Sequence, residues 1–172
     1  RSLVGRYVQV RPLHPERDAR PIYDAYKLAP DSHWTYLSFG PLTSPEQLSS
    51  ILRSLTSLPD WQLFALDVEG DLQGFLSFLR IDAAAGVIEI GSIVFAPALQ
   101  RTRAATEAIY LMIAHAFDSG YRRCEWKCDD LNAPSIRAAK RFGFTYEGTF
   151  RKATHYKGRS RDTAWFAITD DD

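Results

Sequence analysis

The sequence predicts an α/β domain with a mixed β-sheet flanked by helices. Three observations carry that expectation. Val87–Phe95 and Tyr121–Cys128 are β-type runs, and the link between them holds one helix, about the length a parallel crossover needs. Trp61–Val68 and Leu72–Ile81 are two further β runs separated only by Glu69-Gly-Asp, which reads as a hairpin. A chain of 172 residues, 45% hydrophobic and 13% aromatic, is most economically one domain over 1–172 with a substantial core.

The elements follow in order. Tyr7–Leu13 alternates apolar and polar residues and reads as a first strand. His14–Leu28 has helix-compatible composition, broken or restarted by Pro21. Asp31–Pro41 is aromatic and irregular. Ser44-Pro-Glu-Gln opens a helix to about Ser57, with Ser44 as N-cap, Pro45 in the first turn and Gln47 three residues on. After the hairpin comes a small-residue turn, Asp82–Gly86, and then the third β run, Val87–Phe95. In Ala104–Ser119 the residues Ala105, Ala108, Ile109, Met112, Ala116 and Phe117 recur at helical spacing, and Gly120 ends the helix. Asn132–Arg141 is a short helix stopped by Gly143. Phe144–Lys152 and Thr163–Thr169 then make a last β pair around Lys157-Gly158.

Lys+Arg and Asp+Glu both total 21, so bulk attraction to nucleic acid or an anionic membrane is not indicated. The charge is uneven all the same. Residues 31–100 carry eight acids against two bases, and residues 137–161 carry eight bases against one acid. That pattern is either ordinary solvated surface or a basic wall for a phosphorylated ligand beside an acidic mouth for a cationic acceptor. Cys124 and Cys128, four apart on one strand, lie about 13 Å apart, too far for a disulfide, and lack partners at zinc spacing. They read as structural thiols, and no metal is expected. With no bilayer-length apolar run and no secretory leader, a reducing cytoplasmic setting is the default expectation. The opening at Arg1 without a methionine suits a trimmed or processed form.

The most informative stretch is Gly91–Ala108, where a β run, a short polar turn and a helix start follow one another directly. That geometry aims backbone N–H groups and a positive helix end at one spot, which makes an anion site. Arg101 and Arg103 add charge there. The chain has no GxxxxGK[ST] loop, no GxGxxG after a strand and no GxSxG elbow. Paired carboxylates and HExxH-type ligands are equally missing.

What remains is the strand–turn–helix cradle, a parallel neighbouring strand, and Asn132-Ala-Pro-Ser-Ile-Arg-Ala-Ala-Lys-Arg-Phe-Gly-Phe144. With Ala104-Ala-Thr-Glu-Ala108 and Glu147-Gly148, these residues resemble the GNAT acyl-CoA N-acyltransferases. Within that superfamily they look like the branch of ribosomal-protein N-terminal (RimJ/RimL-type) acetyltransferases. The resemblance implies a mixed, mostly antiparallel sheet whose central parallel pair, Val87–Phe95 and Tyr121–Cys128, splays apart at one end. Backbone groups of Ile93, Val94 and Phe95 would then hold the pantetheine arm of acetyl-CoA like an added strand. The turn Gln100, Arg101, Thr102, Arg103, Ala104 and Ala105 would hold its pyrophosphate. Asn132 would bond the pantetheine, and Arg137 or Lys140 would reach outer phosphates. One residue departs from the family loop: Arg103 stands where a glycine is usual. An arginine disfavours positive φ, so it either reshapes the loop or grips phosphate itself.

Acyl transfer to an amine needs a neutral nucleophile, a polarised thioester carbonyl and a proton for the leaving thiolate. Many GNAT enzymes place a Tyr on the helix after the Asn; Ala139 stands at that position. The branch instead suggests a Ser three residues after the Asn, here Ser135, which is otherwise a plain helix-start residue. Thr154 replaces the branch's Glu as base. His155 beside it, or Glu89 on the strand before the cradle, would substitute; Glu89 is alternatively a structural carboxylate paired with an Arg. Asp162 reads as a local partner for an Arg. Trp34 and Tyr36, in a loop that in the family overlies the acceptor, would shape a substrate slot with Trp126. Trp61, Phe64 and Trp165 read as core, and core is also the alternative reading of Trp126.

These expectations add up to an acetyl-CoA-dependent N-acetyltransferase acting by direct attack in a ternary complex, as monomer or homodimer. Its acceptor is a small-molecule amine or a peptide N-terminus. The rival reading is a non-catalytic acyl-CoA-binding or regulatory module on the same scaffold, motivated by Ala139 and Thr154. A nucleic-acid-binding module would show steep salt dependence, and the overall charge argues against it.

Overall fold

The computed structural model describes residues 1–172. Eight strands form one sheet in the order β1-β2-β3-β4-β5-β6-β8-β7. These are β1 (Leu3–Val4), β2 (Gln9–Pro12), β3 (Gln62–Val68), β4 (Asp71–Asp82), β5 (Val87–Phe95), β6 (Arg123–Asp129), β7 (Thr145–Tyr156) and β8 (Arg159–Thr169). All neighbours run antiparallel except β5 and β6, the parallel pair expected from the crossover. The helices are α1 (Pro15–Tyr26), α2 (Pro45–Thr56), α3 (Arg103–Asp118) and α4 (Ala133–Arg141).

Strand alternation sends apolar residues to both faces. Leu63 and Ala65 of β3 join a core under α1 and α2 with Ile22, Leu48, Leu52 and Phe75. Phe64 and Leu66 join the opposite core with Ile109 and Met112 of α3 and Ala139 of α4. The sheet is thus the middle of three layers. The expected hairpin turns at Glu69 (φ 55°) and Gly70 (φ 94°), two positive-φ residues whose twist suits a two-residue connection. Ser44 caps α2 by accepting from the Gln47 amide at 3.1 Å. No helix is long and apolar enough to cross a membrane.

Three expectations change. Pro21 neither breaks nor restarts a helix: it lies inside the continuous α1, on the exposed side, where water can satisfy the carbonyl it leaves unpaired. The pair β1–β2, with Leu3 opposite Val10, was not anticipated. The last hairpin is longer than expected, because residues 153–162 are strand on either side of the Lys157-Gly158 turn. That extra length matters for the site.

Candidate functional site

β5 and β6 pair only at Val87↔Arg123, Ile88↔Cys124 and Glu89↔Glu125. Beyond Glu89 the strands diverge, and Ile90–Phe95 has no strand partner on the β6 side. A register shift against β4 sits at the same level, with Ser92 at φ 48°. Such a bulge turns a strand and re-aims its side chains. The fork opens a cleft of about 610 Å³. Its walls come from both strands, the N-terminus of α4, the loop 36–39 and the long β7–β8 hairpin.

Asn132 and Ser135 meet in this cleft. Asn132 is the N-cap of α4, its Oδ1 accepting from the Ser135 amide at 3.3 Å. Ser135 Oγ accepts from Trp126 Nε1 at 3.0 Å, which orients the hydroxyl and leaves its proton free to donate. Trp126 is itself buried against Phe142 and Phe144. The Ser135 hydroxyl is therefore a positioned donor at a helix N-terminus.

Charge is concentrated beside the fork. Glu89 is buried, and its Oε2 meets Arg80 Nη1 at 2.6 Å and Lys127 Nζ at 3.0 Å. Lys127 also reaches Glu125 at 2.8 Å and lies 3.8 Å from the Trp165 ring centroid. Burial pushes the Glu125 carboxyl up, but hydrogen bonds from Lys127 and Arg123 outweigh it and hold the group below its ordinary value. Asp129 is likewise desolvated, yet held low by the Leu131 amide, the Tyr156 hydroxyl and Arg159. Burial and that bond to Asp129 raise Tyr156, so it stays a neutral donor. Neither thiol is activated: burial pushes Cys124 up to about 12 and raises Cys128 as well.

The turn before α3 provides the second half of the site. The amides of Arg101, Arg103 and Ala104 donate to no protein acceptor. Thr102 Oγ1 caps the helix by taking the Ala105 amide, and Gln100 Nε2 closes the turn on the Phe95 carbonyl. Left-handed backbone falls at Arg101 (φ 62°), not at Arg103, which is the first residue of α3. An arginine at 103 therefore needs no strained backbone, and its guanidinium donates to the Tyr7 hydroxyl at 3.4 Å. Three free amides at the positive end of a helix are suited to phosphate oxygens. Arg137 and Lys140 stand exposed on α4 without ion-pair partners. Ile93 lines the cleft, while Val94 is buried and Phe95 only partly exposed.

Other predicted residues fall elsewhere. Trp34 does not line the cleft: it is 3% exposed, packed with Tyr26 and Phe39 in the core under α1 and α2. Its loop has a 3₁₀ turn, Asp31–Trp34, that turns the indole inward. His155 is exposed and outside the cleft, because its neighbours Thr154 and Tyr156 line the cleft and alternation sends its ring to the other face. Glu89 does line the cleft and is also the paired carboxylate that the alternative reading described. Tyr36 lines the cleft too and donates to the Leu131 carbonyl at 3.0 Å. Trp165 is half-buried cleft wall, stacked on Phe150, and Asp162 takes the Lys152 amide rather than an arginine. Lys127, Tyr156, Arg159 and Arg161 were missed. For the three hairpin residues the available signal was the two-residue Lys157-Gly158 turn, which implies strands continuing directly on both sides.

A family model described as an acetyltransferase (GNAT) domain matches residues 8–145. A structure described as a probable GNAT-family acetyltransferase from Chromobacterium violaceum is 40% identical, with TM-score 0.95 over 99% of this chain and 86% of that one. A GCN5-related N-acetyltransferase from Brucella melitensis is 39% identical, with TM-score 0.95 over 99% and 79%. The acetyltransferase from Salmonella typhimurium that modifies the N-terminal serine of ribosomal protein L7/L12 shares 18% identity and TM-score 0.85 over 98% and 99%, a likeness of fold. No curated sequence matches significantly. With its parallel fork, its capped α3 turn and these relatives, the chain belongs to the GNAT acetyltransferase family.

Proposed function

We propose that the protein transfers an acetyl group from acetyl-CoA to a primary amine by direct attack within a ternary complex. The observation that carries this reading is the continuity of two parts. A phosphate-suited turn, with free amides at 101, 103 and 104, leads along an unpaired β5 edge into a cleft where the oriented Ser135 hydroxyl sits. The residues fit the ligand: the turn takes the pyrophosphate, Ile93–Phe95 offers backbone to the pantetheine, and Asn132 retains its Nδ2 for the same arm. Arg137 and Lys140, exposed on α4, would reach outer phosphates.

The thioester supplies an activated acetyl group. The amine nitrogen forms a bond to the acetyl carbon as the carbon–sulfur bond breaks, and the amine loses one proton while the thiolate gains one. Ser135, held by Trp126, hydrogen-bonds the departing sulfur beside the N-terminus of α4. Glu89 is the candidate base that reaches the cleft. Both of its cation contacts are to Oε2, and Oε1 carries no hydrogen bond. A Cβ built at Gly91 would stand 3.4 Å from Oε1, so the glycine keeps this oxygen approachable.

The acceptor is a small-molecule amine or a peptide N-terminus. The Salmonella protein modifies an N-terminal serine, and an open cleft with polar and aromatic walls admits either. The test is thiol release from acetyl-CoA with and without a panel of amines and short peptides, with products identified by mass. Amine-stimulated release with acetylated product supports the enzyme reading. Binding of acetyl-CoA with no amine-stimulated release supports the rival binding module.

A further inference from the structure

The charged groups of the cleft wall compensate one another with one exception. Arg80 and Lys127 both contact Glu89, and Lys127 also contacts Glu125. Asp129 is matched by Arg159 at 2.6 Å. Arg161 lines the same cleft without any carboxylate in ion-pair range. Its Nε donates to Thr163 Oγ1 at 3.1 Å, and its two terminal nitrogens have no protein acceptor. The guanidinium lies 5.8 Å from the Tyr156 ring centroid, and the stacked Phe150–Trp165 pair completes that part of the wall.

The register places this free cation relative to the chemistry. Ala164 pairs with Cys128 and Thr163 with Asp129, so Arg161 stands two to three residues nearer the start of β8, toward the β7–β8 turn. That is roughly 7 Å beyond the level of Asp129 and roughly 10 Å beyond that of Cys128, so the guanidinium lies at the hairpin end of the cleft, beside Tyr156. The cleft therefore offers a fork-shaped donor set to an anion at one end and a nucleophile position near Ser135 at the other. It offers no unpaired carboxylate to a polycation.

Building on the N-acetyl transfer reading, we propose that the acceptor is an amine that carries a carboxylate, and that Arg161 selects it by a bidentate contact. The carboxylate comes either from an amino acid itself or from an acidic side chain near a peptide N-terminus. A neutral or polycationic amine leaves the guanidinium unmatched.

The test compares kcat/KM for matched pairs in the thiol-release assay. One arm uses free amino acids against their carboxamides; the other uses C-terminally amidated dipeptides with Asp or Asn at the second position. A hydrogen-bonded charge contact favours the carboxylate member by about 10-fold to 100-fold. The arm that shows the preference identifies the source. Arg161→Gln collapses the preference toward unity and Arg161→Lys retains part of it, with acetyl-CoA binding heats showing that both variants are folded. Equal turnover of carboxylates and carboxamides by the unaltered protein overturns the inference alone, as does a preference that survives Arg161→Gln. Thiol release stimulated by no amine in either arm overturns the N-acetyl transfer reading, and this inference falls with it.

Discussion

Replacing Lys127 by Met removes the cation that joins two buried carboxylates while keeping most of the side-chain volume. Lys127 Nζ sits 3.0 Å from Glu89 and 2.8 Å from Glu125, and its own side chain is only 9% exposed. At an effective dielectric of about 20 each contact is worth roughly 5–6 kcal/mol before the cost of desolvating the ammonium. Breaking a buried pair by removing one partner costs about 3–5 kcal/mol. Glu89 keeps Arg80 and Glu125 keeps Arg123, so the loss falls at the lower end, about 3 kcal/mol. In a chain of this size that lowers Tm by roughly 6–12 °C. The pH dependence follows from Glu125, whose folded-state pKa lies below its ordinary 4.5. Such a group stabilises the fold above its unfolded pKa, and that contribution disappears as pH falls through its folded value. The variant lacks the Lys127 share of it, so the gap between the two proteins is full at pH 7 and narrows below about pH 4.5. Urea unfolding across that range measures both quantities, and adding Glu125→Gln should recover part of the loss. A cost under about 1 kcal/mol at neutral pH, or a gap unchanged on acidification, refutes the coupling of Lys127 to these carboxylates.

Three further outcomes are expected. Ser135→Ala slows turnover with little change in acetyl-CoA affinity, and Trp126→Phe, which frees the hydroxyl, does so less; unchanged single-turnover rates in Ser135→Ala remove this group from the reaction. Asp18 is desolvated, but Arg11, Arg17 and the His14 amide bring it to about 2 from 3.8, so Asp18→Asn costs about 2 kcal/mol at pH 7. That contribution is complete above 3.8 and is lost as pH falls through about 2, and an acid-unfolding limb identical in the variant contradicts it. Lys157 Nζ ties the carbonyls of Trp34 (2.5 Å) and Phe39 (3.1 Å) to the β7–β8 turn, so Lys157→Met loosens the loop over the cleft. The acceptor KM rises several-fold while acetyl-CoA affinity holds, and an unmoved KM means the loop needs no latch.

Local signals made much of the fold legible. The Ser44 cap, the Glu69-Gly70 turn and the period of α3 each depend on residues close in sequence, and each formed as read. Pro21 misled because a proline on the exposed side of an otherwise well-packed helix is tolerated when tertiary contacts hold both halves. The parallel pair and the strand–turn–helix at α3 were legible in the order and length of the elements, and the splay of that pair followed from the family resemblance. The site was illegible where side chains meet across the sheet. Nothing near Lys127 in sequence announces that it faces Glu89, 38 positions earlier, through strand register. Trp34 shows the converse: a loop location suggested a slot, but one short 3₁₀ turn buried the indole. His155 failed by a single step of strand alternation, which only a known register can decide.

The most direct test of the central claim is a calorimetric titration with acetyl-CoA, taking CoA and ATP as comparisons. The fork and the free amides at 101, 103 and 104 require micromolar binding of acetyl-CoA and CoA but not of ATP. No binding of either CoA species would mean that the turn is closed to phosphate, and the acetyl-transfer account would fall.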